Sequence, residues 1–94
     1  MTQKVLRVPE KFDFSCHKNF NAQTDQLLKD PEVTVIALDF STVHYLDSAA
    51  LGMVIYLQKK AKAVQRKVII QHAHGTAKDI LKVANIAQFI EIHD

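Results

Sequence analysis

The residues best placed to do chemistry lie in one stretch, where Asp47 and Ser48 precede a long apolar segment. A nearly continuous β-branched run over residues 33–38 ends at Asp39, and the Asp47-Ser48 pair follows a short loop later. Functional groups of parallel α/β sheets collect beyond the carboxyl ends of the strands. As the N-cap of a helix, Ser48 would place its hydroxyl beside unpaired N–H groups and the positive end of the helix dipole. The simplest interpretation is that Ser48 caps the helix and that Asp47 complements its dipole.

Other reactive side chains are less well arranged for chemistry. His72 and His74 would lie on the same side of a strand end, but zinc requires three or four ligands and no third is close in sequence. Cys16 is next to a histidine, which does not orient a thiol toward a base, so we interpret it as structural. Ser48 lacks the flanking glycines of a hydrolase nucleophile, and the chain has no glycine-rich phosphate loop. We therefore expect no catalytic residues, no metal and no cofactor.

The composition is that of one small globular domain. The chain has 94 residues, of which 48% are hydrophobic and 23% charged, and it contains two glycines and two prolines. So few turn residues favour long elements joined by short loops over an all-β sandwich. A single cysteine forms no intrachain disulfide, and no secretory signal or membrane-spanning run is visible. We expect a single domain over residues 1–94, located in the cytoplasm, without membrane insertion.

Hydrophobic periodicity predicts strands that alternate with helices. The predicted strands cover residues 5–8, 33–38, 68–70 and 89–92. The first helix is predicted to be capped by Ser15 and to end before Asp30, and the second to span residues 48–65. The third follows Gly75, where Thr76 and Asp79 match a capping box. This alternation is typical of right-handed crossovers in a mostly parallel sheet.

The long second helix has an unusual surface. Its core stripe is formed by apolar residues at helical spacing, namely Ala50, Met53, Val54, Leu57, Ala61 and Val64. The opposite side consists of Ala49, Gly52, Tyr56 and Ala63, and no charge occurs before Lys59. A helix that lies on a sheet normally carries charge on this side, whereas a smooth uncharged side suits close approach by another protein. The predicted partner contacts are Ala49, Gly52, Met53 and Tyr56.

Positive charge is concentrated at the end of the same helix. Five of the twelve basic residues lie between Lys59 and Lys67, while the whole chain carries a net charge of only +2. Cations at a helix carboxyl end complement its dipole, and no aromatic residues are interleaved beyond Tyr56. We therefore interpret these side chains as a solvated surface that can steer an acidic partner, and expect no direct contact with nucleic acid.

The span from Phe12 to Ile92 resembles a STAS domain, specifically the bacterial anti-sigma-factor antagonists. The residues from Leu38 to Ser41, followed by those from Leu46 to Gly52, are similar to the strand–loop–Asp-Ser–helix signature of that family. Phe12 and Asp13 resemble its hydrophobic-Asp pair before the first helix. The resemblance implies an α/β fold with an open, mostly parallel four-stranded sheet and three main helices packed chiefly on one side.

The resemblance also implies a phosphorylation-controlled partner switch. Ser48 occupies the place of the serine that a partner anti-sigma kinase phosphorylates in this family, with Asp13, Asp47 and Ser41 expected nearby. The unphosphorylated chain would bind the anti-sigma factor, phosphorylation would weaken binding, and a separate serine phosphatase would reset the switch. ATP and Mg²⁺ would belong to the kinase. The alternative is a constitutive scaffold subunit of a lipid-transport ABC complex, whose STAS subunits often carry threonine at the place of Ser48.

Overall fold

The computed structural model describes residues 2–93, in which six strands and three helices follow one another along the chain. The strands are β1 (Thr2–Arg7), β2 (Lys11–Phe12), β3 (Val33–Asp39), β4 (Tyr45–Leu46), β5 (Lys67–Gln71) and β6 (Glu91–His93). The helices are α1 (His17–Lys29), α2 (Ser48–Ala63) and α3 (Gly75–Val83), with short 3-10 helices at Phe14–Cys16 and Ile86–Gln88.

Four of the strands form a parallel sheet in the order β1-β3-β5-β6. One row across this sheet pairs Val5 with Ala37, Ala37 with Ile69, and Ile69 with Glu91. A helix connects each neighbouring pair, because parallel strands cannot be joined by a tight hairpin. The predicted α/β class, with four parallel strands and three helices, is confirmed. The edge strands differ from their predicted limits. The first was predicted at residues 5–8 and covers Thr2–Arg7, and the last was predicted at residues 89–92 and covers Glu91–His93.

One hydrophobic core lies between the helices and one face of the sheet. Alternate residues of the central strands enter it, among them Ile36 and Leu38 of β3 and Val68 and Ile70 of β5. Every helix contributes to the same cluster, which includes Phe20 of α1, Leu57 of α2 and Leu81 of α3. The predicted core stripe of α2 is buried except for Val64, which is the C-cap residue and is 48% exposed.

The two shortest strands, β2 and β4, form a separate parallel pair beside the main sheet. Each has one exposed residue and one buried residue, and the buried residues are Phe12 and Leu46. The Phe12 ring packs against Phe20 and Phe40, with centroids 5.1 and 6.2 Å away. This pairing fixes the segment before α1 beside the segment before α2.

The first helix does not begin as the sequence predicts. Asp13 is the N-cap of the 3-10 helix and accepts a hydrogen bond from the Ser15 backbone N–H at 3.0 Å. Ser15 therefore lies inside this turn and is not the cap, and α1 itself begins at His17. The predicted cap at Ser15 is wrong because Asp13, two residues earlier, already satisfies the free backbone group.

The predicted capping box of the third helix is also wrong. Helix α3 begins at Gly75, so Thr76 is already a helical residue and cannot serve as the cap. The N-cap position is occupied by His74, which makes no side-chain capping bond. Gly75 has a φ of +58°, a left-handed conformation that glycine adopts without strain, and this places the turn into the helix one residue earlier than Thr76.

Candidate functional site

Helix α2 is capped by Asp47, not by Ser48. The Asp47 backbone is extended and its Oδ1 accepts a hydrogen bond from the Ala50 N–H at 2.8 Å. Ser48 is the first helical residue and its side chain is exposed. Within residues 2–93, the Ser48 hydroxyl makes no hydrogen bond. The predicted N-cap role of Ser48 is therefore wrong, and its hydroxyl is free at the positive end of a helix that another residue caps.

Asp13 and Asp47 occupy matching places after two paired strands. Phe12 and Leu46 are paired in the β2–β4 ladder, and each aspartate follows its strand directly. The Asp47 N–H donates to the Phe12 carbonyl at 3.3 Å, which continues the pairing to the base of α2. The two carboxylates thus lie at the same end of this small sheet, each capping the helical turn that follows it.

The Asp13 carboxylate is held in its ionised form. The Ser15 hydroxyl donates a short hydrogen bond to Asp13 Oδ1, and the Lys11 ammonium lies 4.0 Å from Oδ2. The hydrogen bond from the Ser15 hydroxyl is the main reason that the pKa of Asp13 lies below its usual range. This turn therefore keeps a fixed negative charge near the start of α2.

Ser41 is held by two neighbours at the end of β3. Its backbone N–H donates to Asp39 Oδ1 at 2.9 Å, and this bond is the main reason that the pKa of Asp39 is lowered. The His74 ring Nε2–H donates to the Ser41 carbonyl at 2.7 Å, and the His44 ring lies edge-on to His74 at 6.4 Å between centroids. No hydrogen bond joins Ser41 to Ser48 in the described residues. Ser41 is instead bonded to Asp39 and His74, and these bonds hold the loop that leads to β4.

His74 is a positioning residue that the sequence did not identify as one. The sequence pattern linked it with His72 as a weak metal pair, whereas its ring tethers the Ser41 loop to the start of α3. Across residues 2–93, no group of three or more His, Cys, Asp or Glu side chains is arranged to hold a metal ion. A histidine bond to a carbonyl 33 residues away has no signature in a single sequence.

The first part of the outer side of α2 is an open, uncharged surface. Gly52 and Tyr56 are exposed and Ala49 is half-buried, as expected for the side opposite the core. A side-chain carbon added at Gly52 would meet no atom within 4 Å, so this part of the surface is unobstructed. Met53 is only 8% exposed and belongs to the core. Because it lies on the inward stripe of the helix, it offers little surface to a partner, and its role as a contact stays a prediction.

A second apolar feature beside this surface was missed from the sequence. Leu51 of α2 and residues of α3, including Ile80, Val83 and Ala84, line a shallow groove of about 290 Å³. Val83 is 89% exposed, so most of its side chain is open to solvent in this groove. The sequence feature that could have revealed this groove is the three-residue spacing of Ile80 and Val83, which puts both on one side of α3. We call this feature the α2–α3 groove.

None of the helices in residues 2–93 combines the length and the apolar character needed to cross a membrane. The described elements form an α/β domain with an exposed serine at a helix start, a neighbouring acidic turn and exposed apolar side chains. The sequence pattern of the STAS domain family matches residues 2–94, and the chain belongs to this family. A STAS-domain containing protein of Pseudomonas aeruginosa is 28% identical over 88 residues, which cover 94% of this chain and 85% of that relative.

Two solved structures have the same fold. A candidate anti-sigma factor antagonist of Thermotoga maritima has a TM-score of 0.84 at 20% identity, over 98% of this chain and 79% of the other. The anti-sigma factor antagonist SpoIIAA in its unphosphorylated form has a TM-score of 0.73 at 18% identity, over 98% of this chain and 78% of the other. The predicted STAS-like architecture is therefore confirmed, together with the family resemblance on which it was based.

Proposed function

We propose that this chain is an anti-sigma factor antagonist that acts as a phosphorylation-controlled partner switch. The observation that carries this proposal is the exposed Ser48 hydroxyl, which is free of hydrogen bonds at the first residue of α2. A kinase needs a hydroxyl that it can reach without breaking the fold, and the Asp47 cap leaves Ser48 available for this role. Similarity to SpoIIAA, an anti-sigma factor antagonist with an unphosphorylated form, supports the same function.

The physical basis of the switch is charge at a contact surface. Phosphorylation of Ser48 adds about 1.5 to 2 negative charges at pH 7, next to Asp47 and at the same end of the β2–β4 pair as Asp13. The amino end of α2 tolerates this charge locally, because free N–H groups and the helix dipole favour a phosphate there. A partner surface closed over the phosphate would have to bury it without a matching cation, which is costly.

The partner surface is expected to begin at Ser48 and to extend along the outer side of α2. Ala49, Gly52 and Tyr56 form its uncharged part, and the α2–α3 groove adjoins it through Leu51. We propose an anti-sigma factor with serine kinase activity as the partner and a separate serine phosphatase as the enzyme that resets the switch. The chain itself is proposed to be non-catalytic, so ATP and Mg²⁺ are bound by the kinase.

A labelling experiment tests the phosphorylation step. The chain is incubated with a candidate anti-sigma kinase and ATP, and phosphopeptides are identified by mass spectrometry. We expect phosphate on Ser48 and none in Ser48→Ala, while Ser15→Ala remains a substrate because the Ser15 hydroxyl already donates to Asp13. Equal labelling of wild type and Ser48→Ala would contradict the proposal.

Two further variants test whether charge controls binding. Ser48→Ala keeps an uncharged surface and should bind the unmodified partner as wild type does, whereas Ser48→Asp places a carboxylate in the contact and should lose binding. Because Asp47 caps the helix, both variants should fold with nearly unchanged stability, which a thermal melt checks. If Ser48→Asp binds as tightly as wild type, the switch is wrong, and a constitutive scaffold role in a lipid-transport ABC complex becomes the better explanation.

A further inference from the structure

The exposed side of α2 changes character along its length. Its first ten residues carry no charge, and lysines begin only at Lys59. At the carboxyl end of the helix, α1 and α2 enclose a groove of about 400 Å³. The residues that line it are Asp25, Leu28, Lys29, Lys60, Ala63 and Val64, and we call it the α1–α2 groove. This groove is separated from Ser48 by most of the length of α2, which is about 24 Å for sixteen residues.

The floor of the α1–α2 groove is apolar. Leu28 is half-buried, Ala63 is exposed, and Val64 is 48% exposed although it is among the larger apolar side chains of the chain. Tyr56 is 56% exposed and lies two helical turns before Ala63 on the same side of α2. Apolar side chains two turns apart on one helix of a partner would match this spacing.

Lysines lie in and next to the α1–α2 groove. Lys29 of the lining is exposed, as is Lys59, which directly precedes the lining residue Lys60 on α2, and neither makes an ion pair within residues 2–93. Within the lining, the Lys60 ammonium pairs with Asp25 at 2.6 Å and covers the Tyr56 ring at 4.6 Å from the centroid. An apolar floor with one free lysine in its lining and another next to the lining in sequence is complementary to an apolar helix ridge flanked by carboxylates.

We propose that the α1–α2 groove is a second docking site, which receives an acidic amphipathic helix of a protein partner. Leucine-like side chains of that helix contact Leu28 and Val64, and glutamate side chains on its two flanks face Lys29 and Lys59. A bilayer fits this feature less well because the apolar floor is recessed between two helices. The site does not depend on Ser48 or on the proposed switch.

A titration with a defined probe tests this site. The probe is a synthetic amphipathic peptide of about fourteen residues, with leucine at helical spacing and glutamate elsewhere. It is added to isotope-labelled full-length chain while amide signals are followed by NMR. We expect saturable shifts centred on Leu28, Ala63 and Val64, reduced in about 0.5 M salt and absent with the same peptide carrying lysine in place of glutamate.

Charge-matched variants locate the effect. Lys29→Glu/Lys59→Glu reverses the charge of both free lysines and should weaken binding at least about tenfold. Lys18→Glu/Lys82→Glu makes the same change in net charge at exposed positions at the start of α1 and on α3, and should bind nearly as wild type. Absence of shifts with the glutamate peptide, or equal weakening in both double variants, overturns the proposal. Binding to phosphatidylglycerol vesicles in place of the peptide would also overturn it, in favour of a membrane contact.

Discussion

Two neighbouring turns of this domain are built on the same plan and differ in one hydroxyl. After β2, Asp13 caps a short 3-10 helix and also accepts the Ser15 hydroxyl. After β4, Asp47 caps α2 and bonds only to a backbone N–H, so the Ser48 hydroxyl is left free. The position of the serine decides this difference. Two residues after the aspartate, the hydroxyl reaches the carboxylate, whereas the residue immediately after it starts the helix with its side chain in solvent.

The comparison shows that the same two residue types, aspartate and serine, can give a bonded serine in one turn and an accessible serine in the other. In the first turn, serine and aspartate satisfy each other, and the pKa of Asp13 is lowered as a result. In the second turn, aspartate alone supports the helix, and the serine is not needed for stability. The uncharged side of α2 that follows the second turn has no equivalent in α1, where Lys18 and Asn19 are exposed immediately after His17.

The largest expected effect comes from changing the surface after the second turn while leaving the first turn intact. Gly52→Glu places bulk and charge in open space on the outer side of α2, so the domain should fold while partner binding weakens at least about a hundredfold. Gly52→Ala is the matched control, which should bind well and gain about 0.5 to 1 kcal/mol of stability from better helix propensity. Calorimetry with the partner and thermal melts measure both. Unchanged affinity in Gly52→Glu would place the interface elsewhere.

A smaller effect should distinguish the two residues of the second turn. Asp47→Ala removes the acceptor for the Ala50 N–H and should cost about 1 kcal/mol of unfolding free energy. Ser48→Ala removes no hydrogen bond and should change stability by about 0.5 kcal/mol or less. Urea unfolding of both variants gives the two values. A loss in Ser48→Ala as large as that in Asp47→Ala would contradict the assignment of Asp47 as the cap.

The smallest effect concerns the first turn and its titration. Ser15→Ala removes the hydroxyl that stabilises ionised Asp13, so the pKa of Asp13 should rise toward its usual range. Carbon-detected NMR of the aspartate carboxyls during a pH titration measures this, with Ser41→Ala as a control that keeps the backbone bond to Asp39 and should leave the pKa of Asp13 unchanged. A pKa of Asp13 that is equal in wild type and Ser15→Ala would show that the hydroxyl bond does not hold the charge.

The same shift fixes the sign of the pH dependence of stability. Because the pKa of Asp13 is lower in the folded chain than in the unfolded one, its ionised form stabilises the fold above the unfolded pKa. This contribution is lost as the pH falls through the lower, folded pKa. Asp39 acts in the same direction, since its pKa is also lowered. Wild type should therefore lose stability in acid over a wider range than Ser15→Ala.

The strands of the main sheet and the helices that connect them could be predicted because their hydrophobic patterns extend over many residues. The run over residues 33–38 is apolar at nearly every position, and the inward stripe of α2 repeats over four turns. The β2 and β4 strands could not be predicted, because two residues cannot show a period. Their pairing depends on the burial of Phe12 and Leu46, which is a tertiary effect.

The local structural roles of the candidate site residues could be predicted only in part. Asp47 and Ser48 are both good N-cap types, so residue preference cannot decide between them, and only the backbone conformation does. Thr76 is a residue type that often caps helices, but the left-handed backbone at Gly75 starts α3 one residue before it. Met53 lies at the border of the inward stripe, where helical spacing alone does not separate a core side chain from a surface one.

The order of strands in the main sheet has a consequence for how the domain folds. No two neighbours are joined by a hairpin, and the pairings of Val5 with Ala37 and of Ala37 with Ile69 each join residues about thirty positions apart. Local contacts alone therefore cannot form the sheet, and the central strands β3 and β5 pair across the helix that begins at Ser48. The backbone amides of these central strands should exchange with solvent most slowly. Ser48 lies at the start of the helix that links these two strands, so a change at its exposed side chain leaves their buried pairing intact.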